Sequence, residues 1–108
     1  MRTSGEFATG RRLAPVHPGG VLLHDFIEPM GLSRYRVAKA MGVPQRRVDE
    51  ICAGMRSITA DTALRLARVF GTDAQTWLNL QAQYDLEVAQ REHGRAIERE
   101  ATPLDAVA

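Results

Sequence analysis

Ser33-Arg34-Tyr35-Arg36-Val37-Ala38-Lys39-Ala40-Met41-Gly42-Val43-Pro44-Gln45-Arg46-Arg47-Val48-Asp49-Glu50-Ile51-Cys52-Ala53-Gly54 is the stretch that decides the fold. Ser33 has the side chain of an N-cap, an oxygen able to accept from a first-turn N–H that lacks an intrahelical partner. Val37, Ala38 and Met41 then recur at helical spacing. Gly42 suits the left-handed backbone that ends helices. Pro44 can open a second helix, because a first-turn residue has no intrahelical use for its N–H. Val48, Ile51 and Cys52 form the apolar stripe of that second helix. Two short helices joined by so brief a turn cross steeply, a helix-turn-helix whose second helix is free to enter a DNA major groove. Ala38 belongs to the same geometry, since two close helix axes leave little room beyond a methyl group.

Around this unit, apolar residues keep a 3.6-residue period almost throughout, and alternating strand patterns are missing from the sequence. The expectation is an all-α chain of five helices with a long C-terminal helix. At 108 residues it is sized for one domain with a modest core. Residues 1–16 read as a flexible arm, 17–92 as the domain, and 93–108 as a weakly ordered tail. The first helix follows His17-Pro18-Gly19-Gly20, with His17 as a cap or turn residue, and carries Leu22, Leu23, Phe26 and Ile27. Pro29 ends it near Glu28. Thr59 caps the fourth helix, whose inner face is expected to hold Ala63, Leu64, Ala67 and Phe70, with Gly71 as its stop. Thr72-Asp73-Ala74-Gln75 has the form of a capping box, Gln75 reaching back to the Thr72 N–H. The fifth helix should run from about Asp73 towards Glu92 and end at Gly94. It carries Trp77, Leu80, Gln81, Tyr84 and Val88 on one side, more apolar surface than a small domain needs. That stripe is therefore expected at a dimer interface.

The net charge of +1 names no partner, but its distribution does. Between Ser33 and Ser57 six cations face two anions; from Asp85 onward three cations face six anions. A basic middle and an acidic end suit a nucleic-acid face and a separate second face. No apolar run is long enough to span a bilayer and no signal-like segment opens the chain, so the expected compartment is the cytoplasm, without a membrane partner. The single cysteine, Cys52, reads as a packed thiol. No catalytic site, metal site or cofactor is expected. His24-Asp25-Phe26-Ile27-Glu28 lacks the second histidine of a zinc hydrolase, His93 stands alone, and there is no glycine-rich phosphate loop.

With these residues placed, the chain resembles the HigA/VapI-type antitoxins of the XRE, phage-repressor-like, helix-turn-helix group. The resemblance covers about His17 to Ala89. It rests on His17-Pro18-Gly19 with Leu22, on Glu28-Pro29-Met30-Gly31-Leu32-Ser33, on Ile58 through Ala67, and on Phe70-Gly71-Thr72 followed by Trp77-Leu78-Asn79-Leu80-Gln81 and Tyr84-Asp85-Leu86. The resemblance implies a phage-repressor-like bundle and a dimeric DNA-binding protein. It also implies a RelE-like, mRNA-cleaving toxin as the protein partner and repression of the shared operon. A stand-alone phage-type repressor without a toxin would use the same DNA face.

The residues allot the DNA contacts as follows. Gln45, Arg46, Arg47 and Asp49 project from the start of the second motif helix towards base edges, where Gln pairs with adenine and Arg with guanine. Glu50 is expected to orient an arginine. Ser33, Arg34 and Arg36 on one side, and Arg56, Ser57 and Thr59 on the other, are placed for phosphates. One domain reads too few base pairs, so a dimer on an inverted repeat of double-stranded operator DNA is expected, its half-sites about 34 Å apart.

Overall fold

The computed structural model describes residues 14–106 and, among them, contains helices and no strand. Helix α1 begins at Pro18–Val21 and continues without a break as π turns over Leu22–Ile27. The π register shows in Glu28 N–H donating to the Leu23 carbonyl at 2.9 Å. It is followed by α2 (Arg34–Met41), α3 (Gln45–Cys52), α4 (Ala60–Phe70), α5 (Ala74–Glu100) and a closing 3-10 turn over Leu104–Ala106. The expected five-helix, all-α architecture is the observed one. The expected arm lies, up to residue 13, outside the described residues.

Local chemistry explains the boundaries. His17 is the N-cap of α1, its Nδ1 accepting from Gly19 N–H at 2.9 Å, with Pro18 in the first turn. Ser33 Oγ accepts from Arg36 N–H at 3.0 Å, as its position before α2 predicts. Gly42 stands at φ 73° and ψ 35°. Its N–H reaches the Lys39 carbonyl at 3.1 Å, and Val43 N–H reaches Ala38 at 3.0 Å. That pair of bonds closes the helix with a Schellman turn. Pro44 precedes α3 as its N-cap with extended backbone rather than opening it, so α3 starts one residue later than expected.

The core is one cluster in which Leu22, Ile27, Val37, Ala38, Met41, Val48, Ile51, Ile58, Ala63, Leu66 and Trp77 are buried. It fills the space between α1, the α2–α3 pair, α4 and the start of α5. Gly19 sits where α1 meets the end of α3; a Cβ there would collide with the Ile51 carbonyl. On α4 the inward leucine is Leu66 at 0% exposure, while Leu64 is 64% exposed. The expected inner face was therefore misassigned at that residue. The buried residues of α4 are Thr62, Ala63 and Leu66, with Val69 and Phe70 packed against the core; Ala63, Leu66 and Phe70 follow the i, i+3, i+7 spacing that Leu64 breaks.

Two expectations about the end of the chain are corrected. The capping box does not form: Asp73 is the N-cap, its carboxylate accepting from the Thr76 hydroxyl at 3.3 Å rather than from a backbone N–H, and Gln75 Nε2 turns forward to Asn79 Oδ1 at 3.0 Å. Thr72 Oγ1 accepts from Trp77 Nε1 at 2.8 Å instead, so the indole takes the hydroxyl that the box would have used. Gly94 does not stop α5, which runs on to Glu100. Its surroundings (Ala89, Gln90, Arg91, Arg95, Ala96) are strong helix formers that carry one glycine through.

Candidate nucleic-acid interface

The buried faces of α2 and α3 determine what the other faces present. Val48 and Ile51 are fully buried, and a helix of 3.6 residues per turn then turns Arg46 and Asp49 away from the core, with Gln45 on the flank of the buried stripe. Gln45 and Arg46 are exposed, the Arg46 side chain at 86%. Arg36, Arg56, Ser57 and Thr59 are exposed around them, as are Ser33 and Arg34 at the start of α2. Among the described residues no side chain caps α3, and Pro44, Gln45 and Arg46 at its start are exposed, where the helix dipole is positive.

Two carboxylates organise the arginines. Glu50, one turn after Arg46, accepts from Arg46 Nε through Oε2 at 3.0 Å and from Arg56 Nε through Oε1 at 2.9 Å. The Arg46 and Arg56 hydrogen bonds hold its carboxyl below the usual carboxylate range. Asp61, in the first turn of α4, accepts from Arg65 Nε at 2.9 Å and from Arg47 Nη1 at 3.2 Å through the same oxygen. The Arg65 hydrogen bond is the main cause that lowers its pKa, with Arg47 adding to it. Asp49 pairs with Arg34 at 3.7 Å, linking α3 to the start of α2. All these charges are solvent-accessible, so their value lies in orientation more than in stability.

Ion pairs thus join Arg34 to Asp49 and Arg46 to Arg56 through Glu50, while Gln45, Arg36 and Ser57 are exposed. Arg47 is the exception to an outward disposition: its side chain is only 29% exposed and is drawn back to Asp61. Ser33 and Thr59 hydroxyls are engaged as helix caps. Cys52 is half-buried, and burial pushes its thiol pKa up.

Sequence reasoning missed Arg65. Its Nη1 donates to the Met41 carbonyl at 2.9 Å, satisfying an end-group of α2 and tying α4 to the turn that sets the angle between α2 and α3. The only signal in the sequence was the i, i+4 spacing of Asp61 and Arg65. The expected dimer stripe divides. Trp77 and Gln81 lie inside the protomer's own core at 2% and 6% exposure, which corrects their assignment to a subunit seam. The Trp77 ring packs on Phe26 at 5.4 Å, and Gln81 Oε1 accepts from the buried Ile58 N–H at 2.8 Å. Leu80, Tyr84 and Val88 are half-buried, Tyr84 against the His17 ring at 4.8 Å. The exposed apolar side chains of α5 are Leu86 and Ile97, further along the helix.

Comparison with known proteins gives this arrangement its family. The helix-turn-helix family model matches residues 23–77. The virulence-associated protein I of Dichelobacter nodosus is 52% identical over 77 residues, 71% of each chain. An addiction-module antidote protein of the HigA family from Coxiella burnetii superposes with a TM-score of 0.80 at 46% identity, covering 84% of this chain and 99% of that one. The antitoxin HigA of Pseudomonas aeruginosa, solved with the higBA promoter, gives 0.81 at 41% identity over 83% and 98%. Sequence, fold and the exposed α3 edge agree: the chain belongs to the XRE-type helix-turn-helix family, in its HigA antitoxin group.

Proposed function

We propose that this protein is the antitoxin of a type II toxin–antitoxin pair that represses its own operon as a dimer on an inverted repeat, and that its partner toxin is a RelE-like ribonuclease. The observation that carries the DNA reading is the exposed Gln45–Arg46 edge on a helix whose opposite face is locked in the core. Gln45 and Arg46 read bases, assisted by Asp49. Arg34, Arg36, Arg56 and Ser57, with the first-turn N–H groups beside Ser33 and Thr59, take phosphates on either side. A relative at 41% identity bound to promoter DNA supports the same use of the same fold. The protein acts by binding and has no catalytic role, and it works in the cytoplasm with its DNA.

The dimer reading moves along α5. From Ala82 to Asp105 no described residue is buried, yet the helix continues for about 28 Å beyond that point with Leu86 and Ile97 outward. Most helical stability in proteins comes from packing of an amphipathic face, and within the protomer this stretch has little of it. A second copy packing against Leu86 and Ile97, which lie 11 residues apart on one face of α5 and away from the face of Leu80, Tyr84 and Val88, covers that surface. A titration of the upstream duplex tests the assembly: the full palindrome should bind far more tightly than one half-site, and equal affinities would refute it. Co-expression with the neighbouring reading frame tests the toxin. Relief of growth arrest and a co-purifying basic protein are expected; a chain that represses but neither rescues nor captures such a partner is a stand-alone repressor.

A further inference from the structure

Glu50 and Asp61 are carboxylates that hold arginines beside the basic face, and what Glu50 does there rests on the DNA-reading role proposed above. A carboxylate there repels phosphate, so Glu50 lowers affinity for DNA in general. As an exposed partner of two arginines it adds little stability to the fold. What it does add is direction. Both its oxygens are used, one on Arg46 Nε and one on Arg56 Nε. A guanidinium has five N–H donors in a rigid plane. Held by Nε, Arg46 keeps the paired terminal amino groups, the fork that matches guanine O6 and N7.

We infer that Glu50 is the residue that makes Arg46 a guanine reader: it holds the guanidinium by its inner nitrogen, with Arg56 bracing the carboxylate from the far side, and presents the terminal fork to a base edge. Arg47, its guanidinium drawn to Asp61 on α4, is outside this arrangement and serves phosphate or the scaffold. The pair therefore divides adjacent arginines into one that discriminates and one that does not. Glu50 is a positioning residue, and it acts on sequence preference at the expense of overall affinity.

The test is selection of binding sites from a random duplex library by wild type, Glu50→Ala, Glu50→Gln, Arg46→Lys and Arg47→Ala, followed by anisotropy titrations on the selected site and on a scrambled duplex. Wild type should select a guanine in each half-site. Glu50→Ala should lose about tenfold of the preference for that guanine, while its binding to the scrambled duplex becomes tighter, a change of opposite sign that damage to the fold would not produce. Glu50→Gln should fall between. Arg46→Lys should lose the guanine and keep its salt dependence, and Arg47→Ala should keep the guanine and flatten the salt dependence. A Glu50→Ala protein that selects the same guanine as strongly as wild type overturns the inference while leaving the DNA reading intact. A wild type that selects no sequence at all overturns both.

Discussion

The two parts of α5 are one continuous helix held by different forces. Its first two turns carry Trp77 and Gln81, buried against Phe26 and the Ile58 backbone, with the indole N–H on Thr72. From Ala82 onward the described side chains are half-buried or exposed. That part owes its shape to helix-forming residues and to spacings such as Glu87 four residues before Arg91, each contributing a few tenths of a kcal/mol. The difference teaches that regular structure and tertiary attachment are separable. The inner part shares its core with α3; the outer part, unburied within the protomer, is the surface assigned above to the proposed dimer.

Substitutions can break or sharpen this contrast, and the largest effect belongs to the inner region. Gly19→Ala drives a methyl group into the Ile51 carbonyl, where only backbone can yield. We expect a loss of about 3 kcal/mol or more in urea unfolding, and with it the loss of DNA binding. Gln81→Leu keeps the volume but leaves the buried Ile58 N–H without its acceptor. The expected loss is about 1–3 kcal/mol.

In the outer region the sign reverses. A Cβ at Gly94 meets no neighbouring atom, so Gly94→Ala should raise stability by about 0.5–1 kcal/mol through the intrinsic preference for alanine in a helix. The smallest effect on the protomer comes from Leu86→Glu with Ile97→Glu. Both positions are exposed, and the double variant should hold its circular-dichroism spectrum and shift stability by no more than about 0.5 kcal/mol. Sedimentation should nevertheless show its dimer dissociating. A variant that stays dimeric would return the seam to Leu80, Tyr84 and Val88 alone.

The same contrast explains what could be read from the chain alone. Ser33, Gly42 and the Val48–Ile51 stripe identified the helix-turn-helix because caps and periodicity are local chemistry, and the structure follows them. Local chemistry also pointed to Glu50 as the partner of an arginine. Leu66 rather than Leu64 faces the core, a choice that the i, i+3, i+4, i+7 spacing from Ala63 carried and the expected set did not follow. Local chemistry could not tell that the apolar side of α5 is covered from within at Trp77 and Gln81, since a stripe shows that something covers it and not what. The capping box did not form because the helix begins after Asp73 as N-cap, leaving Thr72 outside it and bonded to Trp77, five residues away. Arg65 was silent because its acceptor, the Met41 carbonyl, is a backbone atom 24 residues away.

The central claim is that the outward edge of α3 carries sequence discrimination. Anisotropy titration of Gln45→Ala with Arg46→Ala, on the duplex upstream of the reading frame and on a scrambled duplex of equal length, tests it most directly. Loss of two base contacts should reduce the preference for the upstream duplex by about a hundredfold, while binding to the scrambled duplex changes far less. A double variant that retains the wild-type preference would contradict the account and place recognition elsewhere on the molecule.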